Sequence, residues 1–185
     1  MKKIALIICP LIFVFAACAL EIANVIGPSG GWVFHDKGSY SEGWRYMECR
    51  PNNLGELDGD DPELIRKAIV MCEDAQLGGW QIFPWELPDN HQLKTLISCF
   101  TYGLTQFSPE PHYLSVVRHK TDQTANGIIN EEIELEDGST EYWQPIIIHM
   151  NFNNSAFGEV EIVYDGRSSS EKYTGPVRIR PIRRF

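Results

Sequence analysis

The chain has 185 residues and a net charge of −9, with 43% hydrophobic, 22% charged and 11% aromatic residues. That apolar share excludes a disordered polyelectrolyte, and its glycines and prolines show no collagen period, which leaves an ordinary globular protein. The acidic excess argues against nucleic acid as a partner, because phosphate is repelled.

Lys2 and Lys3 precede an apolar run over residues 4–17, the layout of a secretory signal that is not part of the fold. Phe15-Ala16-Ala17-Cys18 has the form of a bacterial lipoprotein signal, in which Cys18 becomes the lipid-bearing terminus; Ala17-Cys18-Ala19 also fits an A-x-A cleavage site that frees a soluble protein. The lipoprotein reading is preferred, since the Cys directly ends the apolar run. The run falls short of the ~20 apolar residues that span a bilayer, which weakens an uncleaved membrane helix. The division is therefore a signal over residues 1–17, Cys18 with a short tether to residue 26, and one domain over residues 27–185. Loss of Lys2 and Lys3 with the signal deepens the charge to −11.

Gly27-Pro28-Ser29-Gly30-Gly31 punctuates the chain before Trp32-Val33-Phe34, a strand by its β-branched and aromatic content. A polar turn over residues 36–43 leads to Trp44-Arg45-Tyr46-Met47-Glu48, a second alternating strand that pairs with the first as a hairpin. Residues 60–79 switch to helical spacing, with Asp61 as cap, Pro62 at the first position and Gly78-Gly79 as stop. Leu64, Ala68, Cys72 and Ala75 form the apolar stripe. A second helix starts at Asp89, with Gln92 reaching back as a capping box, and Leu93, Leu96, Ile97 and Phe100 facing the core. Strand-like runs then recur at residues 113–117, 128–135, 142–150, 160–164 and 177–182. The expected class is α+β: a strand pair, two helices, then a twisted antiparallel sheet.

Three separated blocks together resemble one family. Gly27-Pro28-Ser29-Gly30-Gly31 with Phe34, Asp36-Lys37-Gly38, Tyr40-Ser41 and Gly43-Trp44-Arg45-Tyr46 looks like the opening of the Fibrobacter succinogenes major paralogous domain, found in many secreted bacterial proteins without assigned activity. Trp85-Glu86-Leu87-Pro88, followed by Leu93, resembles its central signature, and Val177-Arg178-Ile179-Arg180-Pro181-Ile182-Arg183-Arg184-Phe185 its terminal one. The resemblance implies a C-type-lectin-like domain, in which two helices flank a twisted sheet and the first and last strands are adjacent. The middle departs from the pattern: residues 79–85 are longer, Asp89-Asn90-His91-Gln92 lacks the usual acidic residue before Leu93, and Ser115-Val116-Val117 replaces a Ser-rich strand.

Asp58-Gly59-Asp60-Asp61 lacks ordered calcium-loop spacing and reads as a solvated acidic loop. Trp143-Gln144-Pro145-Ile146 lacks the residue a calcium-and-sugar motif needs, so Gln144-Pro145 reads as a strand irregularity. The histidines His35, His91, His112, His119 and His149 show no close zinc-type pair, and each reads as a surface or strand residue. No metal and no cofactor is expected. With Cys18 lipidated, Cys49, Cys72 and Cys99 remain, and a Cys72–Cys99 bridge tying the two helices is one pairing among those left open.

Trp80 and Phe83, in the longer loop, are the aromatic candidates for exposure. Beside them the acidic strip holding Glu132, Glu134 and Glu136 suits a ligand surface, or marks a solvated sheet edge. Trp85, Leu87, Pro88 and Leu93 are structural. Arg178, Arg180, Arg183 and Arg184 are expected to pair with carboxylates such as Asp36, Glu42 or Glu48 and hold the termini together. The functional expectation is a non-enzymatic, lipid-anchored envelope or surface protein that binds a protein or glycan. The alternatives are an enzyme of the lectin-like superfold, related to formylglycine-generating enzymes, or a purely structural envelope protein.

Overall fold

Trp32–Ser41 (β1) and Trp44–Cys49 (β2) run antiparallel around the two-residue turn Glu42-Gly43. Both turn residues take positive φ, 53° and 81°, the loop geometry that matches the natural twist of a hairpin. The computed structural model describes residues 25–75, 84–100, 112–151, 159–164 and 173–185. Within them the other strands are Glu56–Asp58 (β3), His112–His119 (β4), Glu131–Glu134 (β5), Thr140–Asn151 (β6), Glu159–Tyr164 (β7), Pro176–Arg178 (β8) and Ile182–Arg184 (β9). The helices are Leu64–Asp74 (α1) and Asn90–Phe100 (α2).

The architecture is α+β. One sheet has the order β1-β2-β9, the other β3-β8-β4-β6-β5 with β7 also on β6; β4 and β8 are parallel and the remaining pairs antiparallel. Two expectations are corrected here. The single strand over residues 177–182 is two strands, because the chain leaves the large sheet at Ile179 and joins the small one at Ile182. The first and last strands are not neighbours either, since β2 lies between β1 and β9.

The large sheet buries both faces. On one, Leu114, Val116 and Ile147 pack with Leu64, Ile65, Ala68 and Cys72 of α1; on the other, Tyr113, Ile146 and Ile148 pack with Leu93, Leu96 and Ile97 of α2 and with Phe34, Met47 and Ile182 of the small sheet. Alternation along β4 and β6 assigns successive residues to opposite cores. The two helices therefore lie on opposite faces of the sheet, not side by side. That placement removes the Cys72–Cys99 bridge: Cys72 sits in the first core, Cys99 beside the second, and Cys49, Cys72 and Cys99 are all free thiols.

Helix α2 begins as the sequence indicates. The Asp89 amide donates to Gln92 Oε1 and the Gln92 amide to Asp89 Oδ1, both at 2.7 Å, a reciprocal capping box. Helix α1 does not. Asp61 accepts from the Glu63 amide at 2.9 Å in a turn ahead of the helix, and the free amides of Ile65 and Arg66 donate to the Glu131 carboxylate of β5 at 2.7 and 3.1 Å. The expected stop at Gly78-Gly79 lies outside the described residues.

Pro145 occupies a position in β6 where no donor is needed. β5 pairs with β6 over residues 140–143 and β7 over 147–151, so the proline falls in the gap between these two partners.

Candidate functional site

The segment 85–89 stitches the two sheets together. Glu86 exchanges backbone hydrogen bonds with Ile182 of β9 at 2.8 and 3.0 Å, and the Pro88 carbonyl accepts from the Val116 amide of β4 at 3.1 Å. Extended backbone alternates its side chains, so Trp85 and Leu87 go into the core (3% and 1% exposed) while Glu86 faces outward. Asp89 then starts α2. An open groove of about 480 Å³ lies over this junction.

Half-buried Val117 lies beneath it, next to Val116, whose side chain turns into the α1-side core, and its polar rim brings Glu86, Asn90, His91, Arg118 and Arg184 together. Glu86 organises the cations: Arg184 Nε donates to Oε1 at 2.8 Å and its Nη2 to Oε2 at 3.1 Å, while Arg118 stands 3.5 Å from Oε2. The Arg118 guanidinium also lies over the Trp143 ring at 4.3 Å, which fixes its position on β4. Asn90 Oδ1 is buried with no hydrogen-bond partner among the described residues. The rim thus offers guanidinium, imidazole and amide groups around Val117, and among the described residues it contains no Cys, Ser or Thr.

The four terminal arginines reach four different environments. Arg178 pairs with Glu56 at 2.7 Å. Arg180, 2% exposed, donates to the carbonyls of Arg50 and Pro51 at 2.6 and 2.7 Å and to Asn53 Oδ1 at 2.8 Å. Arg183 lies buried 3.9 Å from the fully buried Glu48 and donates to the Ser29 hydroxyl. Arg184 belongs to the groove. Of the three carboxylates expected as partners, only Glu48 serves: Asp36 is held by Arg45 at 2.9 and 3.0 Å, and Glu42 lies 3.5 Å from Lys37, because the hairpin satisfies them locally. The Arg45 guanidinium holds the Asp36 carboxyl below its ordinary value.

Glu48 explains the glycine-rich block. The Gly31 amide donates to its Oε2 at 3.3 Å, a Cβ at Gly27 would strike that same oxygen, and one at Gly31 would come within 2.5 Å of the Cys49 carbonyl. Burial pushes the Glu48 carboxyl up, against the pull of Ser29 and Arg183.

Glu132, Glu134 and Glu136 are exposed at edge strand β5 and its following turn, with Ile133 turned into the core, the alternation of a solvated edge. Trp85, Leu87 and Leu93 are core residues, as expected, and Pro88 is buried at the stitch. Cys18, Trp80 and Phe83 lie outside the described residues. Burial raises all three thiols, Cys49 and Cys72 to about 12, so none is a ready nucleophile. Sequence reasoning passed over Arg118 and Asn90 and read His91 only as a surface or strand residue; the available signals were a charged residue at the end of a strand and two polar residues directly after a cap.

No family model matches the chain, and comparison with curated proteins and with solved structures gives no significant match.

Proposed function

We propose that the chain is a non-enzymatic binding domain that takes a glycan in the groove between segment 85–89, β4 and the start of α2. It is carried at the bacterial envelope by a lipid on Cys18. The groove is the observation that carries this reading. Its volume lies within the roughly 300–1,000 Å³ usual for small-ligand sites. A mixed set of donors and acceptors around the half-buried Val117 suits a polyhydroxylated ring, whose faces are apolar and whose edges are polar. Binding is favoured over catalysis because both carboxylates are engaged, Glu86 by two arginines and Asp89 by the Gln92 amide. The raised thiols weigh against cysteine-based oxidation of the formylglycine-generating kind.

Anchoring rests on the signal pattern alone. Membership of the Fibrobacter paralogous family, and its lectin-like fold, are part of the same proposal; their support is the structural use of the three matched blocks, which meet around Glu48, Glu86 and the terminal arginines.

A glycan array followed by calorimetry on the strongest hit tests the ligand. Binding should fall at least tenfold in both Arg118→Ala and Arg184→Ala; an empty array, or hits indifferent to both changes, would overturn the reading. Metabolic labelling with a fatty acid tests the anchor, and a label that persists in Cys18→Ser would sink it.

A further inference from the structure

Strand register brings together two histidines that lie far apart in sequence. His112 of β4 and His149 of β6 are directly opposite in the ladder, and their ring centroids are 4.6 Å apart. Opposite residues of an antiparallel pair share a face. The pair therefore lies on the α1 side, one row beyond Leu114 and Ile147 at the end of the core. The row continues by register to Glu161 of β7, opposite His149.

The pair is held in place. Tyr173 lies against His112 with ring centroids 4.5 Å apart, and its hydroxyl donates to the Pro176 carbonyl at 3.3 Å. Two glycines make room for that ring: a Cβ at Gly59 would come within 2.5 Å of Tyr173 Cδ1, and one at Gly175 would strike its hydroxyl. His149 Nδ1 is buried with no hydrogen-bond partner among the described residues, a costly state for a ring nitrogen.

We propose that His112 and His149 chelate a first-row divalent ion such as Zn²⁺. Paired imidazoles suit Zn²⁺ and its neighbours better than Ca²⁺ or Mg²⁺, which take oxygen ligands. A donor pair split between two strands also explains why no short sequence motif announces it.

The test uses the full chain in mild detergent, purified without a histidine tag. Calorimetry with Zn²⁺ should give one equivalent, with affinity at least tenfold weaker in His112→Gln and in His149→Gln, and unchanged in His35→Gln and His91→Gln. Nitrogen chemical shifts of the wild-type imidazoles, read without any substitution, should move at His112 and His149 on adding Zn²⁺. Absence of binding at micromolar Zn²⁺, shifts confined to His35 or His91, or a thiolate-to-metal absorption band with Co²⁺ would each overturn the proposal.

Discussion

Arg183 and Arg184 are consecutive on a three-residue strand, yet alternation sends them into opposite environments. Arg183 turns inward to Glu48 and Ser29, where both charges are almost out of contact with water; Arg184 turns outward to Glu86, where both partners stay wetted and share a groove with Arg118. The pairing chemistry is the same and the dielectric is not. In the closed site, removing one partner strands a charge that cannot reach water, so the pair is tied to folding. In the open site the charges remain hydrated, contribute little to stability, and are left to meet a ligand.

The sharpest way to break the closed site is Arg183→Ala, which should cost about 3–5 kcal/mol in urea unfolding because Glu48 is left buried and unpaired. Next comes Gly27→Ala. Its methyl meets Glu48 Oε2 and should cost about 1–3 kcal/mol, as overpacking does, with the same readout. A smaller effect is expected from pH. Because burial raises the Glu48 pKa, the folded chain holds a proton that the unfolded chain has already released, and between the two values stability falls as pH rises. Urea midpoints measured from pH 4 upward, roughly the ordinary carboxylate range, should show this decline in wild type and a flatter profile in Glu48→Gln. The least effect on folding belongs to the open site: Arg184→Ala should change stability by no more than about 1 kcal/mol. An Arg184→Ala chain that unfolds as readily as Arg183→Ala would erase the distinction between the two sites.

What could be read in advance was local. The capping box of α2 spans three residues and needs no partner, and the β1–β2 hairpin follows from alternation around a turn rich in glycine. The cap of α1 was hidden because Glu131 stands 66 residues from Ile65 and also belongs to a strip that reads simply as an acidic edge. The expected disulfide failed for a topological reason: two amphipathic helices that look alike in sequence occupy opposite faces of one sheet. Residues 177–182 alternate as one strand should, and only the requirement to join two sheets breaks them at Ile179. Arginine at the end of the chain was readable as structural for Arg178, Arg180 and Arg183. Arg184 required knowing which side of β9 faces the junction, and His112 with His149 required a register that periodicity cannot supply.

The division of the final segment between two sheets bears on when the molecule can close. Arg178, Arg180 and Arg183 bind groups 122 to 154 positions earlier, and β9 seals the open side of β2. Contacts of such long separation form late, since the intervening loops must be closed before they return any energy. Until residues 176–185 are in place, β2 and β3 keep exposed edges and the Glu48 site has no counter-charge. Once they are, both sheets close together, and opening either one means pulling the same segment away from both.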